Sequence, residues 1–136
     1  MEVKKIAFPI HGDDRGKLVA IEEMKDLPFE IRRVYYMWDT TNDAVRGKHA
    51  HKKLEQILIC TSGSCKIHLD NGYETEEVLL DDPSVGLYLS NDMWREMYDF
   101  TPDAVLMVMA SQYYDETDYI RNYDEFLEFV HSKAQK

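Results

Sequence analysis

The chain has 136 residues, room for one domain spanning 1–136, and a formal charge of −10. Such acidity excludes the basic footprint of a nucleic-acid binder and opposes contact with anionic membranes. Hydrophobic residues make up 44% and aromatics 12%, which supports a packed core rather than disorder.

The N-terminal stretch has only a short apolar run before His11, too short for a signal peptide. No apolar run approaches the ~18 residues of a transmembrane helix. With only two cysteines, Cys60 and Cys65, the expectation is a cytoplasmic protein not built on disulfides. The pattern then predicts strands over 17–21, 29–38, 56–60, 65–69, 75–80, 85–89 and 104–110, rich in Val, Ile, Leu, Tyr and Met. Turn residues punctuate them at 13–16, 61–64, 70–72 and 81–83. Asn71-Gly72 is a strong hairpin signal, because a tight hairpin turn needs positive φ at its centre. Many short strands at this spacing predict a β-sandwich or barrel. Toward the C-terminus, Ile120, Tyr123, Leu127 and Val130 recur at helical steps, with Phe126 alongside. Asn122 and Glu125 fit a capping box, and Asp118 is a competing start.

Charge is unevenly spread. Residues 32–53 carry a net +4 in a chain whose remainder carries −14, which invites an anionic ligand. Within this segment, His49 and His51 stand two apart. On a strand they project from one face, and two converging imidazoles suit metal binding or proton transfer. His49, His51, Glu55 and Gly63 follow the order of the first cupin motif, which they resemble. In the second motif, Pro83 and Gly86 match the turn, but the position expected for a third metal histidine falls near Arg95. Arginine is a permanent cation and no metal ligand, and a catalytic metal site usually takes three protein ligands. The expectation is a site without metal or other cofactor. His68 has no feature marking it as a ligand, and His11 and His131 read as structural or exposed.

Longer runs narrow the resemblance. Arg32-Arg33-Val34-Tyr35-Tyr36, the 46–56 run around the histidines, Trp94-Arg95-Glu96-Met97 and Tyr113-Tyr114-Asp115-Glu116-Thr117-Asp118-Tyr119-Ile120-Arg121 resemble the sugar 3,4-ketoisomerases of the cupin superfamily. The resemblance spans about Lys4 to Val130. It implies an all-β, cupin-type double-stranded β-helix (jelly-roll) barrel with a C-terminal helix, working as a homodimer without metal. It also implies a dTDP-linked keto-deoxyhexose as partner, whose keto group moves from C4 to C3 on the way to a 3-amino-3,6-dideoxy sugar.

The resemblance assigns His49 as the base that takes the C3 proton and leaves His51 to donate or relay a proton at C4 or the oxygens. Tyr35 either bonds a sugar oxygen, tunes a histidine, or is a core aromatic with its hydroxyl satisfied. Arg33, Arg46, Lys53 and Arg121 are candidates for the pyrophosphate, since guanidinium forks suit phosphate oxygens. Tyr119 is a stacking candidate for thymine. Family members differ at the residue after the Trp and in the turn around Arg15, differences that accompany gluco or galacto configuration at C4. Here Arg15 and Arg95 occur together, a mixed pattern, so both positions enter as substrate-binding candidates and the configuration stays open.

Other readings remain. A nucleotide-sugar 3,5-epimerase would use the same histidine chemistry, a metal-dependent cupin would need a divalent ion, and a sugar-binding module would not turn over. Cys60 and Cys65 read as free buried thiols or a strained cross-strand disulfide. Asp115, Glu116, Asp118, Asp124, Glu125 and Glu128 read as a solvated helix face.

Overall fold

The computed structural model describes residues 1–41 and 43–134. In chain order the strands are β1 Lys4–Ala7, β2 His11–Asp13, β3 Gly16–Leu18, β4 Arg33–Met37, β5 Arg46–His51 and β6 Gln56–Ser62. They continue with β7 Cys65–Asp70, β8 Thr75–Leu80, β9 Val85–Leu89, β10 Trp94–Tyr98, β11 Val105–Ala110 and β12 Tyr119–Ile120, before helix α1, Tyr123–Ala134. One five-stranded sheet runs β1-β9-β6-β11-β4 and a second runs β12-β5-β10-β7-β8, while β2 and β3 form a separate hairpin.

The two large sheets face each other across one apolar core, as in a cupin barrel. Leu58, Leu87, Leu106 and Val108 of the first sheet meet Ile67, Leu69, Val78 and Met97 of the second. Because side chains alternate along a strand, β6 serves two cores at once. Leu58 and Cys60 point into the barrel, while Ile57 and Ile59 point outward and are covered by Phe8, Leu27 and Phe29. This explains why β6 reads as a continuous apolar run. It also explains why the strand expected over 29–38 begins only at Arg33: Phe29 leaves the sheet to cover its outer face.

Helix α1 packs on the outside of the second sheet, with Phe126 and Val130 against Ala50, Trp94 and Ile120. The Asn122 side-chain oxygen accepts the Glu125 amide at 3.0 Å, as a capping residue should. One expectation fails here: Ile120 pairs with Ala50 as part of β12 rather than opening the helix, while Tyr123 opens α1 at the exposed rim of the packed face, its ring 5.4 Å from that of Trp94. In the β7–β8 hairpin Gly72 takes φ +91°, and the Asn71 carboxamide oxygen accepts the amides of Tyr73 and Glu74. Cys60 and Cys65 are free and buried, so the disulfide alternative is set aside.

Candidate active site

The barrel mouth is set by a bulge in β5. Arg95 pairs with His49 but Glu96 pairs with Gly47, which leaves Lys48 as the extra residue. Gly47 and Lys48 take φ +84° and +58°. A Cβ on Gly47 would stand 3.1 Å from the Arg95 carbonyl oxygen, so glycine fits where bulkier residues would crowd. Beyond the bulge the alternation resumes. Ala50 faces the helix, and His49 and His51 turn into the barrel with ring centroids 4.9 Å apart at 86°. Tyr119 of β12 completes the cluster, 5.0 Å from His49 and 4.4 Å from His51.

His51 is fully buried, and its Nδ1 lies 3.2 Å from Asp118 Oδ2. The same carboxylate accepts the backbone amides of Lys53 at 3.0 Å and Leu54 at 3.3 Å. An acceptor-only carboxylate makes Nδ1 the protonated nitrogen and leaves the Nε2 lone pair free. Asp118 therefore does not lie on a solvated helix face, as the sequence pattern predicts; it sits in the turn before β12, buried against a histidine. Sequence reasoning missed it because the pairing spans 67 residues and no local pattern marks it.

Behind the histidines, Arg95 is fully buried. Its Nε and Nη2 donate to the Met93 carbonyl at 3.1 and 2.9 Å, and Nη1 donates to Gln56 Oε1. Gln56 Nε2 in turn donates to the Tyr35 hydroxyl at 3.0 Å. Burial lowers the Arg95 pKa to about 10, so it stays a cation at neutral pH.

Desolvation, with Arg95 next in importance, pushes His49 down to about 4 and His51 down to about 2. Both rings therefore start neutral, with lone pairs available. The consequence for stability has a definite sign. In the unfolded chain these histidines protonate below about 6.5, while in the folded chain they resist, so stability rises with pH across that window. Acidification from pH 6.5 toward 4 is expected to lower Tm. Thermal melts of the His49→Asn/His51→Asn variant should show a shallower slope there; an unchanged slope would remove the histidines as its cause.

A cavity of about 430 Å³ opens in front of His49, walled by Arg33, Tyr35, Arg46, Tyr119 and Arg121 among others. Buried nitrogens without partners gather here: Arg33 Nε and Nη2 and His49 Nδ1 belong to residues of the wall, and His51 Nε2 belongs to the buried ring beside His49. Buried polar groups are rarely left unpaired, so this concentration marks a ligand site. Arg33 lies 5.3 Å from the Tyr35 ring and 5.6 Å from the Tyr114 ring, and Arg121 stacks 4.2 Å over Tyr119 while pairing with Glu116.

The cations expected from the sequence do not all reach this cavity. Arg33, Arg46 and Arg121 line it, whereas Lys53 lines a neighbouring cleft with Lys52 and Tyr113. Arg15 is exposed on the β2–β3 hairpin and paired with Asp13. Arg95 does not stand on the cavity wall; three of its N–H groups donate to Met93 and Gln56. Among the described residues, no three His, Cys, Asp or Glu side chains gather in a metal-holding group. None of the described helices is long and apolar enough to cross a membrane.

The model of the WxcM-like, C-terminal (FdtA) family matches residues 1–131. A TDP-4-oxo-6-deoxy-alpha-D-glucose-3,4-oxoisomerase from Aneurinibacillus thermoaerophilus is 56% identical over 130 residues, covering 96% of this chain and 94% of that protein. The structure of QdtA, a sugar 3,4-ketoisomerase from Thermoanaerobacterium thermosaccharolyticum in complex with TDP, superposes with a TM-score of 0.94 at 50% identity, covering 96% of each chain. WlaRB, a TDP-quinovose 3,4-ketoisomerase from Campylobacter jejuni, gives 0.89 at 51% identity, covering 93% of this chain and 97% of that one.

Proposed function

The chain belongs to the WxcM-like, C-terminal (FdtA) family, and on that premise we propose the chemistry by which it moves the keto group of dTDP-4-keto-6-deoxyglucose from C4 to C3. The observation that carries the chemistry is the neutral imidazole of His49 on the wall of a cavity rimmed by guanidinium groups, with the fully buried, neutral ring of His51 packed 4.9 Å from it. A proton α to a ketone is acidic enough for a positioned base. His49 takes the C3 proton, giving an enediolate between C3 and C4. His51 uses its free Nε2 to carry the O3 hydroxyl proton to O4, and the Asp118 carboxylate holds the transient imidazolium. Return of a carbon-bound proton at C4 leaves the ketone at C3. Protons balance, and no redox partner or metal enters.

The nucleotide is bound through charge. Arg33, with two unpaired buried nitrogens, is the strongest pyrophosphate ligand, joined by Arg46 and Arg121. Loss of one charge-assisted contact costs roughly 1.5–3 kcal/mol, about 10–100-fold in affinity. Arg33→Ala is expected to raise KM by that range while kcat changes much less. Steady-state kinetics check this, and an equal fall in kcat with constant KM would place Arg33 in the chemical step instead.

We further propose a single-domain cytoplasmic homodimer. Val34, Tyr36 and Trp38 project outward from the β4 region at the edge of the first sheet, and all three are exposed. An exposed apolar edge strand favours burial against a second copy. Sedimentation equilibrium should give twice the 16.0 kDa chain mass.

The deciding experiment is a proton NMR time course of EDTA-treated protein with dTDP-4-keto-6-deoxyglucose in D2O. Loss of the C3 proton with a 3-keto product carrying deuterium at C4 supports the isomerase without metal. Exchange at C3 and C5 with the ketone still at C4 means a 3,5-epimerase. Activity only after a divalent metal is added means a metal enzyme.

A further inference from the structure

We infer that Arg95 and Gln56 form a hydrogen-bond chain of fixed polarity whose purpose is to make the Tyr35 hydroxyl a donor toward the sugar oxygen that becomes negative during the reaction. This rests on the ketoisomerase reading of the cavity. The direction follows from donor arithmetic. A guanidinium can only donate, so the Gln56 oxygen must face Arg95 and the amide nitrogen must face away. That nitrogen meets the Tyr35 oxygen at 3.0 Å and donates to it. With its acceptor side occupied from behind, the hydroxyl has its own proton to give, and Tyr35 borders the cavity.

The strand registers build the chain. Gln56 pairs with Ala110 and shares the inward parity of Leu58 and Cys60, and Tyr35 sits opposite inward-facing Val108. Gln56 and Arg95 are both fully buried, so water does not compete for either. Burial also raises the Tyr35 pKa above its usual value, which keeps the hydroxyl protonated. A preorganised donor aimed at developing charge is typically the larger part of stabilisation at such a site. Tyr35 is thus a catalytic residue, and Gln56 and Arg95 are positioning residues acting through it.

The test compares two near-isosteric changes. Gln56→Glu keeps an acceptor for Arg95 but replaces the amide donor with a carboxylate, which captures the Tyr35 proton and turns it from the cavity. Gln56→Met leaves Arg95 short of an acceptor but frees Tyr35 to rotate. The chain predicts that Gln56→Glu loses about 10²-fold in kcat, the range for one oxyanion donor, with KM little changed. Gln56→Met should lose less activity yet have the lower Tm. A purely structural Gln56 predicts the opposite ranking of activity, with Gln56→Met the worse, and that ranking overturns the inference. A charge effect on the histidines is separated by repeating Gln56→Glu in Tyr35→Phe. Little further loss there supports the chain, and a full further loss overturns it. If Gln56→Glu does not fold, unchanged kcat in both Gln56→Met and Tyr35→Phe overturns it equally, and a reduced kcat in Tyr35→Phe with KM held supports it. Wild-type protein run alongside must convert dTDP-4-keto-6-deoxyglucose. If it does not, the ketoisomerase reading fails, and this inference with it.

Discussion

His49→Asn is expected to keep the fold and lose at least ~100-fold of turnover, the low end for removing a general base. The fold should survive because His49 contributes little to packing. Its ring lies at the cavity edge against His51 and Tyr119, and its Nδ1 has no partner to forfeit. Asparagine keeps a short polar side chain on β5 without disturbing the bulge at Gly47-Lys48. Turnover should collapse because a carboxamide cannot take a carbon-bound proton. KM should stay within a few-fold, since the ligands proposed for the nucleotide are arginines rather than this ring. Circular dichroism melts and a coupled aminotransferase assay read the two halves of the expectation. Near-normal turnover would move the base to His51.

The wild-type pH profile belongs to the same argument. The His49 pKa is pushed down to about 4, so its basic form persists well below neutrality. Activity per folded molecule should remain flat from pH 8 down through pH 6 and fall only as pH approaches about 4. An unperturbed histidine base would already be half lost near pH 6.5. Depression of the pKa trades intrinsic basicity for availability, and burial beside Arg95 is what sets that balance.

What the sequence made legible was what local pattern controls. Strands β8 and β9 coincide with the predicted spans at 75–80 and 85–89, because alternation and flanking turn residues are local signals. Two residues of spacing on a strand were enough to put His49 and His51 on one face. Local pattern failed wherever the barrel, rather than the segment, decides. Ile120 fits a helical stripe, yet pairing with Ala50 outweighs it. Gln56 lies only five residues from His51 in a quoted motif, but its meaning comes from Arg95, 39 residues away. Arginines read alike in a sequence, and only the fold separates Arg33 at the cavity from Arg95 behind it and Arg15 on a hairpin.

Asp118→Asn is expected to lower kcat by ~10²–10⁴-fold, the range for disabling acid–base chemistry, with KM nearly constant. The carboxylate has two sets of obligations. Oδ1 accepts the Lys53 amide at 3.0 Å, and Oδ2 accepts the Leu54 amide at 3.3 Å and faces His51 Nδ1 at 3.2 Å. A carboxamide cannot serve both. If its nitrogen faces His51, it donates to Nδ1 and forces the proton to Nε2, which removes the lone pair proposed to carry the hydroxyl proton. If its nitrogen faces Lys53, two donors collide and the turn after β5 is strained. In either arrangement the imidazolium loses its compensating charge, so the transient state rises in energy. A merely structural Asp118 would show as lost stability with activity per folded molecule retained. The separating measurement is a double-variant cycle. Added to His51→Asn, Asp118→Asn should cost little further turnover, because the group it acts through is already gone. Independent, multiplying losses would mean that Asp118 serves the reaction by another route.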